Sequence, residues 1–161
     1  MSLLPPRLSI RNNPSEYWKK NVQKATKAYE DRSAYVLGDI YSDRDDRDLS
    51  GLDFSRSNLN RADLSHANLS GADLTGANLI SANLASAYLA RAKLGDANLY
   101  GANLNNANLL FANLRSAILT GANLRGARLS GADLTGVDLT GVDLTRAELR
   151  DAIMPDGTKH P

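Results

Sequence analysis

Cysteine is absent from the 161 residues, which excludes disulfides, thiolate metal sites and cysteine nucleophiles. Aromatic residues are scarce, with one Trp, six Tyr and two Phe, so a core has to be assembled from Leu and Ala. Net charge is nearly lacking too: the formal value is +1, and a chain so balanced carries no global field to attract nucleic acid or to imitate it. No apolar run reaches the ~20 residues of a membrane-spanning helix. The opening Met1-Ser2-Leu3-Leu4-Pro5-Pro6-Arg7 has neither a charged segment before an apolar run nor a cleavage signal. That argues against secretion and for a soluble cytoplasmic protein. The length suits one domain plus an extension.

What is present is a beat. From Leu52 to Met154 an apolar anchor returns every five positions, without insertion or deletion, through Phe54, Leu59 and Leu64 to Leu149. The residue two before each anchor is small, usually Ala, and the one directly before it is usually Asn or Asp. The unit is plain in Ala62-Asp63-Leu64-Ser65-His66 and in Ala122-Asn123-Leu124-Arg125-Gly126. Fixed-period self-similarity identifies a repeat architecture whose units cannot bury their apolar faces alone.

A helix cannot carry this pattern, because residues five apart drift by roughly 140° around an α-helix and the anchors would spiral over its whole surface. Asn, Asp, Ser, Thr and Gly fill most other positions, and all compete poorly in helix interiors. A flat strand fails as well, since an odd period turns every second anchor outward. The remaining solution is a coil of short extended stretches and bends, with all anchors inward. Phe54, Leu64, Leu84, Leu104, Leu124 and Leu144 are the expected core, with Val137 and Val142 tolerated but tight.

On these in-phase units the chain resembles the pentapeptide-repeat proteins. The resemblance implies an all-β solenoid, a right-handed quadrilateral β-helix in which four pentapeptides make one coil. It also implies about five coils, stacked at roughly 4.8 Å into a column about 25 Å long. The expected division is residues 1–45 as an N-terminal α-helical extension or cap and 46–161 as the repeat domain. Most of the family consists of non-catalytic scaffolds. A quinolone-resistance branch mimics DNA and modulates a type II topoisomerase, gyrase. This chain departs from that branch in its near-zero charge, the lack of a long acidic column and the lack of a loop between coils.

Before the repeats, Asn13, Pro14 and Glu16 make a helix start: a cap, a first-turn proline and a capping-box acid. Trp18, Val22, Ala25 and Tyr29 then fall on one stripe. This helix is expected either to cap the solenoid or to dock on a partner. Lys19, Lys20, Lys24 and Lys27 read as its solvated face rather than as a membrane-binding surface. Asp39 to Arg47 is a charged connection, and Met154 with the Pro155-Asp156-Gly157 turn is the expected C-terminal cap.

If four units make a coil, residues twenty apart stack, and the surface is read along columns. Asp133, Asp138, Asp143 and Glu148 then form a ring rather than a stripe. The column Asp53, Asp73, Lys93, Asn113, Asp133 breaks any acidic wall. Asp63, Asn83, Asn103, Asn123 and Asp143 are expected to form a structural ladder. Large apolar residues gather on two opposite sides, Ile80, Tyr100 and Ile118 on one and Tyr88, Leu110 and Phe111 on the other. These six are the candidate partner surface.

No catalytic constellation is visible. His66 and His160 have no carboxylate at ligand spacing, Gly131 to Gly136 lacks the Lys-Ser/Thr of a phosphate loop, and no base is arranged to activate Ser65 or Thr75. Neither an enzyme nor a cofactor or metal site is expected. The reading is a scaffold for a protein partner, with no nucleic acid and no membrane, as a monomer or a homodimer.

Overall fold

The computed structural model describes residues 48–161. The stripe of Trp18, Val22, Ala25 and Tyr29, and the boundary at 45, lie outside them. Within them, residues before the anchors bridge in parallel to the residue twenty further on at every step but one, beginning with Asp48 to Asn68, Asp53 to Asp73, Asn58 to Asn78 and Asp63 to Asn83. Four columns of bridges therefore bound a four-sided coil. The first side runs through Tyr88, Asn108 and Arg128, the second through Lys93, Asn113 and Asp133, the third through Asn98 and Ile118, and the fourth through Asn103 and Asn123. Five turns of twenty residues, from Asp48 to Ala147, precede a partial sixth.

Local chemistry explains why the chain bends at every fifth residue. The side-chain oxygen of the Asn or Asp before each anchor accepts from the amide two residues on, at 3.1 Å for Asp63 and Ser65 and 3.2 Å for Asn103 and Asn105. This Asx arrangement draws the chain into a turn. The anchor carbonyl then accepts from the amide three residues on, as in Ala67 to Leu64 at 3.2 Å. The second residue after the anchor takes up a left-handed conformation, with φ 60° at His66 and 66° at Gly71. Such a turn is of type II. Gly is free of cost there, yet Arg56, Ser81, Asn106 and Phe111 hold the same conformation. At those positions the corner amide donates to the next coil, as in Arg56 to Thr75 at 2.8 Å and Phe111 to Ser130 at 3.1 Å.

Neighbouring coils are joined by three bonds on each side, typified by Leu64 N–H to the Asn83 carbonyl at 2.8 Å, His66 to Ala85 at 3.0 Å and Asn83 to Ala62 at 2.9 Å. Inside, Phe54, Leu64, Leu84, Leu104 and Leu124 are buried, as are the small residues before them from Ala62 to Ala132. Ser57 stands in one of the Ala positions, and its hydroxyl is satisfied by donating to the Phe54 carbonyl at 2.6 Å. Leu144 departs from the expectation of a buried core residue: it is only half-buried, like Leu139 and Leu149. It belongs to the last complete coil, so no further coil covers its upper side.

Two features mark the C-terminal end. Pro155-Asp156-Gly157 reverses the chain, and Lys159 pairs antiparallel with Ile153. The returning strand takes the Met154 amide on the Thr158 carbonyl at 2.7 Å and donates from His160 to Ala152 at 2.8 Å. On the third side, by contrast, the ladder opens. Ile118 is bridged to Asn98 below it but not to Asp138 above it. Among the described residues, the Leu119 and Gly121 amides have no hydrogen-bond acceptor. Val137, where lower coils have Ala97 and Ala117, is buried at this level.

Candidate interaction surface

Four large apolar side chains stand well out of the surface: Tyr88 at 55%, Tyr100 at 55%, Phe111 at 62% and Ile118 at 47% exposure. Ile80 and Leu110 are half-buried, although Tyr100 holds the same place directly after its anchor and stands open. Register places Tyr88, Leu110 and Phe111 on and beside the first side. Ile118 lies on the third side, and Tyr100 at its edge, stacked above Ile80. The two groups therefore face away from each other, in the third and fourth coils.

Phe111 is the most constrained of these residues. It occupies a corner at φ 56°, an unusual conformation for a bulky side chain. A Cβ built on Gly131, one coil above, would stand 2.5 Å from two ring atoms of Phe111. The ring thus rests over the glycine. From one coil below, the Arg91 guanidinium lies 5.9 Å from the ring centroid, within reach of a cation–π attraction. Neither Arg91 nor Gly131 stands out when the sequence is read for apolar exceptions. Following the corner column Gly71, Arg91, Phe111, Gly131 at intervals of twenty brings them together.

Three cations are paired with acids of neighbouring coils. Lys93 pairs with Asp73 at 3.1 Å, Arg115 with Asp133 at 3.1 Å and Arg128 with Glu148 at 3.3 Å. The Thr75 hydroxyl and amide, together with Lys93, hold the Asp73 carboxyl below its ordinary value. At Asp133 burial works in the opposite direction, but Thr135 and Arg115 outweigh it, and this carboxyl is lowered as well. On the fourth side Asn83 donates to Asp63 and Asn103 to Asn83, each at 3.1 Å. Among the described residues no group of three His, Asp or Glu is placed to hold a metal ion.

A four-sided column of stacked pentapeptides with an Ala–Leu interior defines a right-handed β-helix solenoid. The family profile described as pentapeptide repeats matches residues 48–84, 82–121 and 117–154. The chain belongs to the pentapeptide-repeat family. No curated protein sequence gives a significant match. Among solved structures, HetL from the cyanobacterium Nostoc sp. strain PCC 7120 is a pentapeptide repeat protein involved in heterocyst differentiation regulation. It is 40% identical over 70% of this chain and 57% of its own length, with a TM-score of 0.53. Rfr23, from the cyanobacterium Cyanothece 51142, is 34% identical over 65% of this chain and 88% of its own, with a TM-score of 0.54. QnrB1, a plasmid-mediated fluoroquinolone resistance protein, is 21% identical with a TM-score of 0.30, a likeness too slight to carry a functional argument.

Proposed function

We propose that this protein is a non-catalytic scaffold that presents side chains on rigid faces to a protein partner in the cytoplasm. The observation that carries this reading is the exposure of Tyr88, Phe111, Tyr100 and Ile118 on a solenoid whose other outward positions are mostly polar. Aromatic residues held on a stiff backbone lose little conformational freedom on binding. The parallel ladder supplies that stiffness, because each side is tied to the coil above and below by backbone bonds.

A DNA-like surface for a topoisomerase calls for acids in register. The second side instead alternates Asp73 with Lys93, and Arg115 is paired with Asp133. Gyrase modulation is therefore the weaker reading, and a supercoiling assay with purified gyrase addresses it directly.

The test is affinity capture with the intact chain against a variant carrying Tyr88→Asn, Tyr100→Asn, Phe111→Asn and Ile118→Asn. Asn already occupies the same columns at Asn68, Asn60 and Asn98, and Asn106 holds the same left-handed conformation at another corner, so the column is expected to fold. A partner retained by both forms would reject these faces as the means of recognition.

A further inference from the structure

We propose that the side bearing Tyr88 and Phe111 docks a short acidic segment of another protein, one that carries an aromatic or aliphatic residue beside its carboxylates. The proposal rests on the reading of this chain as an interaction module and names the face and the chemistry that the partner supplies.

Three observations lead there. The first is the mounting of Phe111. Its ring is seated over Gly131, where a side chain would collide with it, yet 62% of the residue stays open to solvent. A bulky side chain in a left-handed corner is unfavourable where Gly or Asn would be at ease. Eleven other non-Gly residues hold the same corner, so what sets Phe111 apart is a large apolar ring left open there.

The second is the charge beside it. Lys93, Arg115 and Arg128 each have a carboxylate in ion-pair contact. Arg91, like Arg56, Arg61, Arg125 and Arg146, has none among the described residues, but it lies over the Phe111 ring. The first side thus joins two exposed rings to an uncompensated guanidinium. A carboxylate brought in by a partner would complete it, with bidentate geometry available. The opposite group is built differently: the column neighbours of Tyr100 and Ile118 are Ile80, Asn98, Thr120 and Asp138, with no cation among them.

The third is size. A fully covered Tyr or Phe contributes roughly 150–250 Å², so two rings little more than half exposed offer a few hundred. Stable association of two folded surfaces takes about 1,000 Å² or more. A second copy of this chain is not held by so small a patch, whereas a short segment with one apolar anchor and flanking acids matches it.

The experiment pans a phage-displayed library of random peptides against the full chain. Labelled enriched peptides are then titrated against the intact protein and against Phe111→Asn, Tyr88→Asn and Arg91→Ser. Asn106 and Ser81 already sit in the left-handed corner, so these replacements suit the backbone. Enriched sequences are expected to combine Asp or Glu with Phe, Leu or Trp. Affinity is expected to fall about thirtyfold for Phe111→Asn, the loss of a hot-spot residue, and to weaken with added salt for the intact protein but much less for Arg91→Ser. Peptides without acids, or peptides bound equally well by Phe111→Asn, overturn the proposal. If their binding is instead lost in a Tyr100→Asn, Ile118→Asn double variant, the interaction module stands and only this face is wrong. No enrichment on any side overturns both.

Discussion

The Phe111 ring occupies the space that a side chain on Gly131 would need, with two ring atoms 2.5 Å from the Cβ such a residue would carry. The two residues belong to successive coils at the same corner, so one's bulk depends on the other's lack of it. Gly131→Ala meets two costs, a left-handed backbone at φ 69° and the displaced ring. A destabilisation of roughly 1–2 kcal/mol is expected in urea denaturation, about half of it conformational. In a Phe111→Asn background the ring is gone, and the same substitution is expected to retain the conformational part alone. Equal effects in the two backgrounds would mean that the ring does not rest on the glycine.

Position along the column sets the cost of an interior truncation. Leu104 is covered from both sides and 0% exposed, whereas Leu144 faces the open end. Leu104→Ala is expected to lose roughly 2–5 kcal/mol. Leu144→Ala is expected to lose less than half as much, because part of its surface is already in water. Denaturant midpoints of the two variants, with unchanged m-values, give the comparison.

The carboxyls of Asp73 and Asp133 are held below their ordinary value of 3.8. A group whose folded value is depressed contributes stability that is present above its unfolded value and is lost as pH falls through the folded one. Melting temperature is therefore expected to be flat above about pH 5 and to decline below about pH 4. Asp73→Asn keeps an oxygen for the Thr75 amide but removes the titration and the Lys93 pair, so its decline is expected to be shallower. An identical acid limb would show that Asp73 does not contribute.

At the opened ladder, amides can be followed one by one. Leu99 and Gly101 donate to Ile118 and Thr120 at 2.8 and 3.0 Å, and the equivalent amides of the next coil, Leu119 and Gly121, have no acceptor among the described residues. Faster hydrogen exchange is expected at Leu119 and Gly121 than at Leu99 and Gly101. Val137→Ala restores the side-chain size of the lower coils and is expected to slow exchange at both amides. If it does not, the valine is not what holds the coils apart.

The buried column was legible in the sequence because the five-residue period repeats without interruption, whereas the twenty-residue register came from the resemblance to the pentapeptide-repeat family. Once four units close a coil, every outward neighbour is fixed by arithmetic, which is how Tyr88 and Phe111 fall on one side and Tyr100 and Ile118 on the other. The left-handed corner was harder to read. Gly71, Gly76 and Gly101 signal it, but Arg, Ser and Phe at other corners mask the signal, since their strain is offset by contacts made between coils. Leu144 looked like every other anchor; its half-burial reflects where the column ends rather than what its own unit contains. The gap above Ile118 was not foreseen, because nothing in the spacing of its own unit departs from the repeat. Arg91 escaped notice for a similar reason, its significance lying in the ring of the next coil.

The returning strand at Thr158 to His160 has a directional consequence. Among the described residues every other bridge between coils joins strands of the same sense, so an added block of twenty residues could slot into the regular part of the stack and leave the other pairings unchanged. A strand of opposite sense breaks that translational rule on its side, since what lies beyond it meets a reversed order of donors and acceptors. In polymer terms the hairpin acts as a chain terminator for the parallel lattice. It sits on the second side, next to the corner that carries Phe111, so lengthening or shortening the stack below it moves the terminus without disturbing the spacing of the displayed rings.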